Sequence, residues 1–166
     1  MANVRVAFEE LECDKRQLPL GYQEVGCQMI FDIKMGENFR RKARMVAGGH
    51  TTETPAALTY ASIVSRDSVM IALTIVALNV LKLLACDIKH AYLSDHCREK
   101  IWTIAGPKFR SDTGKLMIVV LALYGLKSSG ADFRALLAKI LYDIKYTPSK
   151  ADPDVWIRIA VKPDVF

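Results

Sequence analysis

The sequence predicts an α+β domain in which helices pack on one face of an antiparallel sheet. Two helical patterns are interspersed with short β-rich runs, in the order hairpin, helix, strands, helix, strand. The 166 residues are 51% apolar and 25% charged, which suffices for one domain with a hydrophobic core. This composition excludes a disordered chain, a collagen-like repeat and a disulfide scaffold.

The chain begins with a stretch of weak signals and then a hairpin. Residues 1–26 contain a turn at 19–21 but no sustained period, and we interpret them as an N-terminal connector to a domain over residues 27–166. The β-rich run 27–34 predicts a strand, and residues 35–38 supply a turn. Residues 41–47 then predict the returning strand.

Two helices follow from the spacing of apolar residues. Ser65 or Asp67 provides a cap for the first helix. Its apolar positions are Val69, Ala72, Leu73, Val76, Val80 and Leu84. The second helix carries a stripe of Phe133, Leu136, Leu137, Ile140, Leu141 and Ile144. We expect Pro148 to end this helix.

Four further apolar runs predict strands. They cover residues 83–88, 100–104, 115–121 and 155–161. Residues 124–130 form a turn-rich connection before the second helix.

The charge distribution favours a polyanionic partner. The net charge is +5, and residues 98–162 carry twelve Lys and Arg against six Asp and Glu. Such an imbalance is typical of nucleic-acid-binding proteins, although it does not establish a site.

The cysteines and the apolar runs indicate where the protein resides. The four Cys form no C-x-x-C pair and follow no secretory signal, so we expect reduced thiols in an intracellular protein rather than a zinc ribbon or disulfides. The pattern does not distinguish a cytoplasmic particle from the nucleus. The longest apolar run, residues 69–85, is interrupted by Asn79 and Lys82 and is shorter than the roughly 20 residues of a membrane helix, so we expect no membrane association.

Asp87 is the first candidate site residue. It follows an apolar run at a predicted strand end, where a carboxylate must be hydrated, hydrogen-bonded or bound to a cation. The residues leave open a capping or solvated aspartate and a Mg²⁺ ligand.

A basic strand is the second candidate. Arg40, Lys42 and Arg44 share one strand face because alternate residues point the same way. They form either a solvated edge that discourages aggregation or a surface that grips phosphates. The sequence contains no H-E-x-x-H, G-x-S-x-G or G-x-G-x-x-G motif, so hydrolase and Rossmann-type functions have no support.

Three sequence blocks carry a family resemblance. They are RKARMVAGGH at residues 41–50, CDIKHAYL at 86–93 and ALYGLKSS at 122–129. In this order and spacing they resemble the reverse transcriptase domain of copia-type long-terminal-repeat retrotransposons, over about residues 18–162. The resemblance implies a right-hand polymerase, here the fingers and an incomplete palm, that extends DNA on an RNA or DNA template-primer from deoxynucleoside triphosphates.

The resemblance also implies roles for single residues. Asp87 is the first catalytic aspartate and a Mg²⁺ ligand, with the Ile88 carbonyl beside it. Tyr92 lies under the sugar of the incoming nucleotide, where its ring excludes a 2′-hydroxyl. The remaining implied nucleotide-binding residues are Lys42 and Arg44 at the triphosphate, and Tyr124, Gly125 and Lys127 in a loop facing nucleotide and template.

The chain also departs from the family pattern. The aromatic-x-Asp-Asp turn that supplies the other carboxylates is expected about ten residues after the last strand, and the sequence stops at Phe166 without it. Two-metal catalysis needs more than one carboxylate, and Asp152, Asp154 and Asp164 form no adjacent pair that could replace it. We therefore expect a truncated reverse transcriptase domain that is inactive as this chain. The alternatives are a non-catalytic nucleic-acid-binding remnant and an inert retroelement relic.

Overall fold

The computed structural model describes residues 5–12, 17–18, 20–35, 39–55 and 59–159. Within the chain two compact units are distinguished. The first comprises Met1–Tyr60 with His90–Phe133, and the second comprises Ala61–Lys89 with Arg134–Phe166.

The first unit is built mainly from strands. Its described strands are β1 (Phe8–Glu10), β2 (Gln23–Glu24), β3 (Cys27–Lys34), β4 (Arg40–Ala47), β5 (Ile101–Ile104) and β6 (Leu116–Val119). Short 3₁₀ turns occur at Gly49–Thr51, Ala91–Ser94 and Pro107–Asp112. One sheet has the order β1-β6-β5-β2, and β3 and β4 form a separate hairpin. Among the described strands of this unit, β2 and β5 pair parallel and the other strand pairs are antiparallel.

The hydrophobic core of this unit joins the sheet to the hairpin. Alternate residues of β6, Met117 and Val119, are buried with Phe8 of β1, which pairs with Val119. Met45 and Ala47, also two apart on β4, enter the same cluster. On β4 the period of two therefore directs one face into the core, whereas the consecutive residues Ile101, Trp102 and Thr103 of β5 are all buried.

The predicted hairpin is confirmed. The register runs from Cys27 opposite Ala47 to Lys34 opposite Arg40. The predicted strands at 100–104 and 115–121 are found as the shorter β5 and β6. Strands β1 and β2 lie within residues 1–26, where the sequence predicts no element, because two or three residues are too few to show an alternating pattern.

The second unit contains most of the helical residues. Its described elements are α1 (Arg66–Leu78), the larger part of α2 (Ser129–Asp143), β7 (Thr147–Pro148) and β8 (Trp156–Ile157). The first five residues of α2 belong to the first unit. Strands β7 and β8 pair antiparallel, so mixed helix and strand content with mainly antiparallel pairing agrees with the predicted class.

The start of α1 is as predicted. Ser65 is the N-cap, and its hydroxyl accepts a hydrogen bond from the Ser68 N–H at 3.1 Å. The Asp152 carboxylate adds to this cap, because one of its oxygens accepts from the Ser65 N–H at 3.0 Å and from the Ser68 hydroxyl at 2.6 Å.

The end of α2 differs from the prediction. The helix stops at Asp143, and Pro148 lies in β7. Lys145 adopts a left-handed conformation with φ of 69°, while the Tyr146 N–H donates to the Leu141 carbonyl at 2.9 Å. A left-handed residue with a backbone bond back into the last turn ends the helix without proline.

Two further strand predictions are wrong in extent or type. Residues 83–88 are irregular and exposed, since no described strand pairs with them and an apolar run alone does not supply ladder hydrogen bonds. The predicted strand 155–161 is reduced to the two residues of β8, and residues 160 and 161 lie outside the described part.

The apolar stripe predicted for α1 is not buried. The helix ends at Leu78, so the predicted positions Val80 and Leu84 lie beyond it. No residue of α1 is buried, and of the predicted positions only Val76 is half-buried. Apolar residues occupy all sides of this helix, a pattern typical of a helix covered all round. No helix in the described part of the chain is long and apolar enough to span a membrane.

Candidate functional site

The candidate site begins where β4 meets the loop containing Tyr124 and Gly125. The Ala47 N–H donates to the Tyr124 carbonyl at 2.8 Å, and Val46 forms a parallel bridge with Tyr124. The first and third sequence blocks, residues 41–50 and 122–129, are therefore in direct contact.

Two glycines permit this contact. Gly125 has φ of 93°, and a Cβ added there would overlap the Ala47 carbonyl oxygen. A Cβ on Gly49 would likewise overlap the Gly125 carbonyl oxygen. Only a residue without a side chain allows two backbones to approach this closely.

The basic residues of β4 lie on one strand face. Lys42 stands opposite Asp32 and Arg44 opposite Ile30, and both basic side chains are half-buried. Val46 is two residues further along, on the same face by the strand period. The side chain of Arg40, predicted to share this face, lies outside the described part of the structure.

An aromatic pair joins the second and third sequence blocks. The Tyr92 and Tyr124 ring centroids are 4.6 Å apart, and the Phe133 ring contacts Tyr92 edge-on at 6.1 Å. Tyr124 is 39% exposed, whereas Tyr92 is half-buried. The two ring planes are inclined by 59°, and the partly exposed pair offers an aromatic surface against which a sugar or base can lie.

The Lys127 side chain is hydrogen-bonded to the segment that follows β4. Its ammonium donates to the Thr52 carbonyl, and the buried Thr52 hydroxyl donates to the Gly49 carbonyl at 2.8 Å. An ammonium has three N–H groups, so two remain for other partners. The predicted contact of Lys127 with nucleotide or template stays a prediction.

Two buried acidic residues at the start of α2 escape sequence-based reasoning. Glu99 accepts a hydrogen bond from the Ser128 N–H at 2.8 Å, and Asp132 pairs with Arg98 at 3.1 Å. The sequence shows only a charged pair, Arg98-Glu99, ahead of a buried strand. Their partners lie about thirty residues away, so no local pattern identifies them.

Cys97, next to these acidic residues, is not a reactive group. Burial raises the pKa of its thiol to about 12, with a further increase from the nearby charges of Glu99 and Asp132. Because the thiolate is the nucleophilic and metal-binding form, this thiol stays protonated at neutral pH.

Asp87 and Ile88 belong to the second unit, whereas the other predicted site residues belong to the first. Asp87 lies on the exposed irregular segment, and its carboxylate bonds to none of the described residues. Nowhere in the described ranges do three His, Cys, Asp or Glu residues come close enough to hold a metal ion. The described residues therefore do not fit a complete Mg²⁺ site.

The comparison with protein families decides the identity. The family described as "Reverse transcriptase (RNA-dependent DNA polymerase)" matches residues 14–164. The chain belongs to the reverse transcriptase family. Membership implies a nucleic-acid template and deoxynucleoside triphosphates as partners, and reverse transcriptases generally use Mg²⁺.

Neither the curated proteins nor the solved structures give a significant match to this reverse transcriptase domain. The family assignment therefore rests on the family match over residues 14–164.

Proposed function

We propose that this chain is the fingers and part of the palm of a copia-type reverse transcriptase, and that by itself it binds template-primer and nucleotide without extending DNA. The observation that carries the proposal is the contact of β4 with the Tyr124–Gly125 loop. This contact joins the basic strand and the aromatic pair in one unit.

Lys42 and Arg44 supply the phosphate-binding part of the proposed function. They share a strand face and are half-buried. Long Lys and Arg side chains can bury their stems while their charged ends stay in water. Contacts from Lys and Arg to phosphates dominate the affinity of proteins for nucleic acids and are weakened by salt.

Tyr92 and Tyr124 supply the proposed surface for the nucleotide sugar. Their rings are in contact, and the ring of Phe133, from α2, contacts Tyr92 edge-on. A ring held by neighbours on two sides resists displacement, so it can exclude a 2′-hydroxyl by shape.

Asp87, with the Ile88 carbonyl beside it, is the proposed first catalytic aspartate and Mg²⁺ ligand, from the motif in which it stands. The sequence contains no adjacent Asp-Asp pair, and three metal-binding side chains do not meet among the described residues. Two dications held close together repel one another and need several carboxylates for neutralisation. These observations support binding without catalysis by this chain.

The experiment compares the wild-type chain with the double variant Lys42→Ala, Arg44→Ala. Affinity for a fluorescent template-primer is measured from 50 to 300 mM salt. We expect weaker binding in the double variant and a slope of log affinity against log salt reduced by about one to two, since each lost phosphate contact removes about 0.9.

The matched control replaces two other lysines, Lys139→Ala with Lys150→Ala, which are exposed and belong to the second unit. The control should keep the wild-type slope. If log affinity fell with log salt at the same slope in all three proteins, Lys42 and Arg44 would only form a solvated strand edge.

A further inference from the structure

Glu99 is a buried carboxylate with one defined partner. It is 8% exposed and lies two residues before β5. One oxygen accepts the Ser128 N–H at 2.8 Å. Burying a carboxylate costs folding free energy unless it is hydrogen-bonded. The bond to Ser128 offsets this cost for Glu99.

The Ser128 N–H lies at the start of α2. The Ser128 carbonyl accepts from the Asp132 N–H at 2.9 Å, which begins the helical hydrogen bonding. The N–H groups at a helix start have no partner inside the helix and carry partial positive charge. The Ser128 hydroxyl is buried and bonds to none of the described residues, whereas the Ser128 N–H is held by the Glu99 carboxylate.

The same helix start closes the loop that carries Tyr124. The Ser129 hydroxyl donates to the Leu123 carbonyl at 2.8 Å, and the Ala47 N–H donates to the Tyr124 carbonyl at 2.8 Å. The loop is thus fixed at its beginning by β4 and at its end by Glu99. Arg98, next to Glu99, pairs with Asp132 one turn into α2 and gives a second attachment.

We infer that Glu99 is a positioning residue of the nucleotide site, which fixes the start of α2 and through it the orientation of the Tyr124 ring on Tyr92. This inference rests on the proposed function, because nucleotide contact by Tyr124 belongs to that proposal. The described hydrogen bond of the Glu99 carboxylate is to Ser128, so its effect is transmitted by the backbone between Tyr124 and Ser128.

The test uses the full chain labelled with 3-fluorotyrosine and observed by ¹⁹F NMR. Tyr92→Phe and Tyr124→Phe assign the two resonances. Glu99→Leu removes the acceptor, so both resonances should shift and affinity for a fluorescent deoxynucleoside triphosphate should fall about tenfold, as expected for loss of one charge-assisted hydrogen bond. Glu99→Gln keeps an acceptor oxygen, so its tyrosine resonances and its nucleotide affinity should be close to those of the wild type.

Glu53→Gln is the matched control, since Glu53 is exposed, and it should change neither resonance. If Glu99→Leu fails to fold, Glu99→Asp replaces it, because a carboxylate withdrawn by one methylene should also shift the resonances. A folded Glu99 variant with wild-type tyrosine resonances overturns the inference. Shifted resonances in a chain that binds no nucleotide would support the positioning role of Glu99 and refute the proposed function.

Discussion

Gly125 shows how a single residue fixes the geometry of the candidate site. Its positive φ and its distance from the Ala47 carbonyl leave no room for a side chain. The sequence identifies Gly125 as part of a motif, but the backbone it approaches, at Gly49, belongs to another motif. The reason for both glycines is therefore visible only in the fold.

Gly125→Ala should lower the free energy of unfolding by about 1–3 kcal/mol, because alanine is strained at this φ and its Cβ would push β4 away. Urea denaturation measures the change. Gly106→Ala is the control, since a Cβ there meets nothing within 4 Å, and it should leave stability nearly unchanged. Equal stability of both variants would contradict the described contact.

Other site residues differ in how far the sequence reveals them. Tyr92 and Tyr124 belong to recognisable motifs, yet only the structure brings their rings together. Glu99 belongs to none of the three blocks, and its partner at Ser128 is distant in sequence. Motifs show which residue types are present, whereas contacts between distant segments depend on tertiary packing.

At the scale of elements, α1 depends on a carboxylate from a distant loop. Bonds from the Ser68 hydroxyl and from the Ser65 and Asp154 N–H groups hold the pKa of Asp152 at about 2. The folded-state pKa is thus below the ordinary value, so the ionised form stabilises the fold. This stabilisation is complete above about pH 4 and is lost as the pH falls towards 2.

Asp152→Asn should therefore reduce the thermal stability of the chain at pH 7, and the difference from wild type should shrink as the pH falls from 4 to 2. Circular dichroism during heating measures both. Asp143→Asn, which changes an exposed carboxylate at the end of α2, serves as control and should show little difference. A constant difference down to pH 2 would contradict the capping role of the charge.

Val80, just after α1, carries backbone strain. It is a β-branched residue with φ of 51° and is 91% exposed. Val80→Gly should raise the free energy of unfolding by about 1 kcal/mol, because glycine adopts this conformation without steric cost. Ala72→Gly, at an exposed position within α1, should instead lower it by about 1 kcal/mol. Destabilisation by both glycines in urea denaturation would argue against the strain at Val80.

Which elements the sequence predicts depends on how local their signals are. The hairpin has two β-rich runs around a turn, and both helices have sustained apolar spacing, so all three are found. The strand expected at 83–88 needs a partner elsewhere, and the two short strands before residue 27 exist only through their pairing. The periodicity of a segment does not predict which distant segment it pairs with.

At the scale of the whole molecule, the two units differ in how well they bury apolar residues. The first unit has a core that joins the hairpin to the sheet. The second exposes large apolar side chains along α1 and the segment after it, among them Leu78, Val80 and Leu84. The predicted class is correct in its mixed content and mainly antiparallel pairing, but the extent of this exposed apolar surface does not follow from a helical pattern alone.

Binding of template-primer without extension of the primer is the activity proposed for this chain. The most direct measurement incubates the chain with template-primer, deoxynucleoside triphosphates and Mg²⁺, and follows primer length and binding in the same sample. We predict salt-dependent binding and no lengthening of the primer at any Mg²⁺ concentration. Mg²⁺-dependent extension that Asp87→Asn abolishes would contradict this proposed activity, and so would the absence of salt-dependent binding.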